Sequence, residues 1–219
     1  MPKPQAPLFP LSNVTLFPGT GAPLHVFEPR YRQMMQAALD ADRVIIMATV
    51  RPEHAHEMAG DPPVYPIACA GFIQNYQKLA DGRFKLQLQG THRVRILREL
   101  PRADERIYRI GEFERLDETT LDAARCHTMR ERVTEQLAEL ARETTGLSLE
   151  HTVGRITTMD LTTFTDTVCQ TVGLPVAEKQ ALLEADSIDE RLRRLEGTLE
   201  FHRALIERGG TGPGAGTVH

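Results

Sequence analysis

The feature that most constrains this chain is a turn signal, Ala80-Asp81-Gly82, between two segments of strand-like sequence. Glycine adopts a positive φ without a Cβ clash, so Asp-Gly between alternating segments is typical of a β-hairpin. After the turn, Phe84, Leu86 and Leu88 alternate with polar residues, and this period of two predicts a half-buried strand. Gly90 interrupts the alternation, which indicates a bulge or a sharp bend at a barrel corner. This region therefore predicts antiparallel β structure.

The rest of the first half also indicates short strands separated by Pro and Gly. Ser12-Asn13 predicts a turn between two strands, the second at residues 14–17, and the frequent prolines favour edge or bulged strands. Glu28-Pro29 predicts a helix start, because the N–H that proline lacks would have no partner in a first turn. Residues 44–50 form a continuous apolar run, as expected for a strand buried on both faces. Residues 51–63 are predicted to form a polar loop.

After about residue 118 the apolar residues follow the three- and four-residue steps of amphipathic helices. The clearest helix starts at Ser187 and Glu190, which form a capping box that can satisfy two free backbone N–H groups. Asp189 with Arg193, and Glu190 with Arg194, are predicted ion pairs at i,i+4 spacing. The second half is therefore predicted to be helical.

Length and composition fit a folded globular chain. The 219 residues are 41% hydrophobic and 26% charged, which is close to ordinary globular usage, and they suffice for one substantial core or two modest ones. The patterns divide the chain into a β-rich part, a helical part and a Gly-rich tail predicted to be disordered: residues 1–118, 119–208 and 209–219.

Charge, cysteines and hydropathy narrow the classes of function. A net charge of −4 argues against nucleic acid as a partner, because that affinity comes mostly from neutralising phosphates with Lys and Arg. The three cysteines, Cys69, Cys126 and Cys169, give no metal, redox or disulfide spacing and predict buried reduced thiols. The N-terminus lacks the apolar core of a signal peptide, and no apolar run approaches a membrane span. We therefore expect a cytoplasmic protein with no membrane segment.

A pair of histidines is the first candidate for chemistry. On an extended segment His54 and His56 would point to the same side, where they could share a metal with one carboxylate. The alternative is an ordinary solvated loop, which is favoured because no third His or Cys lies nearby and the H-E-x-x-H pattern is missing. A metal- or small-molecule-binding protein using these histidines is thus one alternative function.

A basic strip along the predicted hairpin strands is the second candidate. It consists of Arg83, Lys85, His92, Arg93, Arg95 and Arg98. In an RNA-binding module these side chains would contact phosphates, whereas otherwise they cover the solvent face of an antiparallel sheet. The acidic net charge and the lack of interleaved aromatic residues favour the second interpretation.

Several motifs in a fixed order resemble the N-terminal domain of Lon proteases. Residues 7–35 read PLFPLSNVTLFPGTGAPLHVFEPRYRQMM, similar to the start of that domain. The matching segments are Leu16-Phe17-Pro18-Gly19, Pro23-Leu24-His25, Phe27-Glu28-Pro29-Arg30-Tyr31, Asp81-Gly82-Arg83, Leu88-Gln89-Gly90-Thr91-His92-Arg93, Glu178-Lys179-Gln180-Ala181-Leu182-Leu183-Glu184 and Arg191-Leu192. The resemblance covers most of residues 7–206.

The resemblance implies an α+β fold, a PUA-like β pseudo-barrel followed by a C-terminal helical bundle, that recognises polypeptide substrates. The sequence has no G-x-x-x-x-G-K-[ST] phosphate loop, no G-x-S-x-G elbow and no room for a Ser–Lys protease domain, so we expect no enzyme activity and no cofactor. The expected partners are polypeptide clients or a protease or chaperone. Clients would bind an apolar groove or a strand edge between the two parts. Candidate contact residues are Phe27, Tyr31, Met34 and Met35, although the two methionines fit a core position better.

Overall fold

A computed structural model describes residues 3–103, 105–143, 156 and 158–207 of the chain. Two compact units are present, Met1–Asp117 and Glu118–His219. The first holds a β-sheet and a helix, and the described elements of the second are helices. The predicted α+β class, with helices at the C-terminal end, is confirmed. The predicted tail at 209–219 lies outside the described residues.

The first unit is built on a sheet that closes on itself. Its elements are β1 (Gln5–Leu11), β2 (Gly21–Val26), α1 (Pro29–Leu39), β3 (Val44–Thr49), β4 (Ile67–Lys78), β5 (Phe84–Glu99) and β6 (Arg109–Arg115). The strand order is β2-β5-β4-β3-β1-β6, and β6 also pairs with β5, so five strands form a ring. The β1–β3 pair is parallel and the other pairs are antiparallel. Strand β2 lies outside the ring, alongside the first half of β5.

The predicted hairpin between β4 and β5 is confirmed. Leu79 N–H donates to the Arg83 carbonyl at 2.8 Å, and Gly82 adopts φ 80°. The Asp81 carboxylate accepts the Arg83 backbone N–H at 3.0 Å, so a side chain completes the turn. This is the local chemistry that Asp-Gly supplies in tight turns.

Gly90 marks a bulge in the β4–β5 ladder, as predicted. The pairing register shifts between Ala70 and Gly71, opposite this point of β5. A Cβ at Gly90 would lie 2.2 Å from the Phe17 carbonyl oxygen, so only glycine lets the crossing segment approach. The Gly90 N–H donates to the Thr20 carbonyl at 2.8 Å.

Strand β3 separates two apolar clusters and is buried on both faces, as its sequence predicts. Ile45 and Met47 pack with α1, while Ile46 and Ala48 pack with the cluster formed by residues such as Leu8 and Val94. Fully burying a side chain of this size contributes about 1.5–3 kcal/mol. The two clusters therefore hold α1 and the closed ring to the same strand.

One strand prediction in the N-terminal segment is wrong, and another holds for one of the two strands concerned. Residues 14–17 form no strand, and residues 18–20, which connect them to β2, bond β5 at Gly90. The edge strand that the prolines favour is β2, which contains Pro23 and pairs only with β5 in the described sheet, whereas β1 pairs with β6 through its first half and with β3 through its second. Pro7 lies in the first half and Pro10 in the second, so each proline needs backbone partners on one side only.

The second unit is built from four helices within the described ranges. They are α2 (Ala123–Glu143), α3 (Leu161–Thr171), α4 (Val176–Leu183) and α5 (Ile188–Glu207). Buried apolar residues on three of the helices form its interior: Cys126, Met129, Val133, Phe164, Val168, Leu192, Leu195 and Leu199. All three cysteines of the chain are buried, as predicted. Burial raises the pKa of the Cys126 thiol to about 11 and that of Cys169 to about 12.

The start of α5 agrees in part with the predicted capping and ion pairs. Ser187 Oγ accepts the Glu190 N–H at 3.2 Å, and Arg194 Nε lies 2.7 Å from Glu190 Oε1. The predicted Asp189–Arg193 pair is wrong, because Asp189 instead accepts two backbone N–H groups, at 2.8 Å each. Arg193 pairs with Glu190, so one carboxylate serves two arginines.

Candidate functional site

An apolar groove of the first unit opens beside the end of β2. Its volume is about 320 Å³. It lies where β1, the loop after β1, the end of β2 and the start of α1 converge. The lining residues are Phe9, Leu11, Ser12, Asn13, Val14, Leu24, His25, Val26, Phe27, Glu28, Tyr31 and Met58. Most of these side chains are apolar, which suits a site for uncharged groups.

Tyr31 forms a rigid part of the groove. Pro29 occupies the first turn of α1, as the sequence predicts, and this places Tyr31 against β1. The Tyr31 ring lies 4.7 Å from the Phe9 ring, and its hydroxyl donates to the Pro10 carbonyl at 3.4 Å. Burial raises the pKa of Tyr31 to about 12, so the groove floor stays uncharged.

Phe27 lies at the mouth of the groove with 59% of its surface exposed. It follows β2 directly, and its ring centroid is 6.1 Å from that of His25. An exposed phenylalanine on an ordered backbone is a ready apolar contact, because little conformational entropy remains to be lost on binding.

Arg30 fixes the rim of the groove. Its guanidinium lies 4.5 Å above the Tyr31 ring and donates to Glu28, to the Gly60 carbonyl at 2.6 Å and to the Met58 carbonyl. These bonds hold Met58 over the groove and pair the carboxylate of Glu28. Glu28 is the one carboxylate among the lining residues, so the groove presents no unpaired negative charge there.

The structure separates the four predicted contact residues into two pairs. Phe27 and Tyr31 line the groove, whereas Met34 and Met35 are fully buried in the core against the sheet. Sequence reasoning missed Leu11, Val14 and Met58 as groove residues. They come from three separate segments, so no local pattern could have joined them.

The histidine candidates do not lie on an extended segment. Residues Pro52–Glu57 form a 3-10 helix, so the premise that alternate side chains share one side is wrong. His54 Nδ1 is 2.8 Å and His56 Nε2 is 3.5 Å from the same Glu57 oxygen. In the described ranges, no cluster of three or more His, Cys, Asp or Glu side chains is arranged to hold a metal ion.

The basic strip does not form a continuous cationic surface. Arg93 is buried, and the other arginines are paired with carboxylates: Arg83 with Asp81 at 2.7 Å, Arg95 with Glu114 at 3.5 Å and Arg98 with Glu112 at 2.8 Å. Burial, together with nearby Arg115, lowers the pKa of His92 and favours its neutral form. The geometry thus gives the RNA-binding alternative no specific support.

None of the helices in the described ranges combines the length and apolar character that crossing a bilayer requires.

The comparisons with known proteins all point to the same family. A family model described as the ATP-dependent protease La (LON) substrate-binding domain matches residues 5–200. The Lon protease of Trichlorobacter lovleyi is 29% identical over 205 residues, which is 91% of this chain and 24% of that protein. The Lon protease of Escherichia coli K12 is 24% identical over 203 residues, or 93% of this chain and 25% of that protein. The chain thus spans about a quarter of the length of these curated relatives.

Solved structures show the same fold. The N-terminal domain of the Mycobacterium avium complex Lon protease matches with a TM-score of 0.72 at 18% identity, covering 91% of this chain and all of that one. A Lon N-terminal domain protein from Xanthomonas campestris matches with a TM-score of 0.62 at 20% identity, covering 89% of this chain and 98% of that one. With the family match over residues 5–200, these findings establish that the chain belongs to the Lon substrate-binding domain family.

Proposed function

We propose that this chain is a non-catalytic, cytoplasmic recognition module that binds exposed segments of polypeptide clients and presents them to a protease or chaperone. The observation that carries the proposal is the exposed ring of Phe27 beside an apolar groove whose one carboxylate is already paired. Membership of a substrate-binding family supports the same assignment. An adaptor that works with a separate protease is the form of this function that we propose.

The groove accepts an apolar side chain of the client as an anchor. Burying one large apolar side chain yields about 1.5–3 kcal/mol, whereas a micromolar Kd needs about 8 kcal/mol. Further contacts must therefore come from elsewhere along the client. The outer edge of β2 can supply some of them, because β2 pairs within the described sheet with β5 only. Pro23 lacks an N–H, so this edge offers few donors and binding stays weak and reversible.

Two exposed phenylalanines provide a matched test. Phe27 is 59% exposed in the first unit and Phe201 is 60% exposed on α5 of the second. We expect Phe27→Ala to raise the Kd for a fluorescein-labelled, permanently unfolded polypeptide about tenfold, the equivalent of about 1.4 kcal/mol. Phe201→Ala should leave the Kd within about twofold, since surface substitutions away from a contact have small effects.

Fluorescence anisotropy titrations measure both values, and circular dichroism checks that each variant is folded. An equal Kd for wild type and Phe27→Ala would contradict a role for the groove in binding clients. A loss of affinity confined to Phe201→Ala would move the binding surface to the second unit.

A further inference from the structure

The outward face of β2 and β5 next to the groove carries no acidic residue. Cross-strand partners lie on the same face of a sheet, so the ladder places two rows together. They are Gly21, Pro23 and His25 on β2, opposite Gln89, Gln87 and Lys85 on β5. The chain as a whole has more acidic than basic residues, 30 against 26. This face therefore departs from the average charge of the protein.

Lys85 is the permanent charge on this face. Its side chain is exposed, and within the described part of the chain no carboxylate lies within ion-pair distance of it. The neighbouring cations differ, since Arg83 pairs with Asp81 and Lys78 donates to Gln36. Because Lys85 extends from a paired strand, its position relative to the groove is fixed by the backbone.

The spacing between Lys85 and the groove matches a short stretch of extended chain. Lys85 lies directly opposite His25, and the Cβ atoms of such pairs are about 5 Å apart. The His25 ring lies in turn 6.1 Å from the Phe27 ring. Lys85 and Phe27 thus lie on either side of the same histidine, and two or three residues of extended chain, at about 3.3 Å per residue, span such a separation.

From this geometry we propose that Lys85 is a specificity-determining residue. It selects polypeptide segments that carry an acidic residue two or three positions from the apolar side chain held beside Phe27. This inference rests on the proposed polypeptide-binding function. The chemistry is simple charge complementarity, because a client carboxylate over this face meets one ammonium group and no opposing carboxylate.

The test uses three short fluorescein-labelled peptides with one apolar core, differing in a single flanking residue. That residue is Asp, Asn or Lys, placed three positions from the core. An exposed ion pair changes affinity by about threefold, so the Asp peptide should bind about threefold tighter than the Asn peptide and the Lys peptide weaker still. The differences should shrink at about 0.5 M salt, where charges are screened within a few ångströms.

Charge reversal makes the test specific. Lys85→Glu should invert the order so that the Lys peptide binds tightest, and Lys85→Gln should make the three affinities equal. Lys3→Glu makes the same change in net charge elsewhere in the first unit, where Lys3 pairs with Glu114, and should keep the wild-type order.

The outcomes separate this inference from the proposed function. If the wild type binds none of the peptides, both proposals fail. If the wild type binds all three with one affinity and Lys85→Glu changes nothing, Lys85 does not select clients, while the groove still binds them.

Discussion

Arg191 in the second unit is a fully buried cation held between two carboxylates. Its Nη1 bonds Asp166, its Nη2 lies 3.1 Å from Glu118 Oε2, and its Nε donates to the Leu182 carbonyl at 3.2 Å. Burial by itself lowers the pKa of Arg191, but the charges of Asp166 and Glu118 outweigh that effect and raise it. The guanidinium therefore stays charged and links the segment before α2 with α3, α4 and α5.

Removing that cation should destabilise the second unit strongly. Arg191→Met keeps much of the side-chain volume but leaves the buried Asp166 without its counter-charge, so we expect a loss of about 3–5 kcal/mol. Arg193→Met is the matched control, because Arg193 pairs with Glu190 at the surface, where such a pair contributes about 0–1 kcal/mol. Urea unfolding followed by circular dichroism measures both. Similar unfolding midpoints for the two variants would contradict a stabilising role for Arg191.

At the scale of single residues, the sequence located the candidate site only in part. The Phe27-to-Tyr31 motif lies at the corner of the fold where the groove opens, and the Pro29 helix start is the local signal that marks it. It does not distinguish exposed Phe27 from buried Tyr31, since that depends on which strand covers each ring. Met58 was missed because a bond between Arg30 and its carbonyl, across 28 residues, brings it to the groove.

At the scale of elements, substitution by alanine should change the stability in opposite directions at two glycines. Gly90→Ala places a Cβ 2.2 Å from a backbone carbonyl that cannot move freely, so we expect a loss of at least about 2 kcal/mol. Gly197 lies inside α5 with open space around it, so Gly197→Ala should stabilise by about 0.5–1 kcal/mol. Thermal unfolding of the two variants and of the wild type measures the sign of each change in stability. An unchanged stability for Gly90→Ala would mean that the segment crossing over β5 can move away from the added Cβ.

Local signals predicted elements well where a few adjacent residues decide the structure. The Asp81-Gly82 turn and the apolar run of β3 are such cases, and both are confirmed. The prediction of a strand at residues 14–17 was wrong. Their composition suits a strand, but no strand of the ring pairs with them. The extended His54–His56 segment failed for a similar reason, since Pro52 opens a 3-10 turn there.

For the molecule as a whole, we expect acid to destabilise the second unit. Hydrogen bonds from Arg193 and Arg194 lower the pKa of Glu190 to about 2, and hydrogen bonds at the start of α3 lower the pKa of Asp160. Burial favours a higher pKa for Asp189, but backbone N–H groups outweigh it and lower the pKa. In each case the folded pKa lies below the unfolded one.

The sign of the pH effect follows from that difference. These carboxylates stabilise the fold fully above their unfolded pKa values, and the contribution is lost as pH falls through the folded values. We therefore expect the urea midpoint of the second unit to fall between about pH 4.5 and pH 2. Titrating the midpoint with pH measures the effect, and Asp160→Asn should flatten part of the curve. A midpoint that stays constant or rises toward pH 2 would contradict the assignment.

Strand β2 also bears on how such a protein avoids polymerising. Closing five strands into a ring leaves those strands little open edge, whereas β2 lies outside the ring and, among the described strands, has a partner on one side only. An open edge is a template on which copies of an aggregation-prone chain can stack into a fibril. Pro23 in the middle of β2 removes one of its backbone donors. A protein with the proposed function can thus hold an unfolded chain without seeding amyloid-like growth on its own sheet.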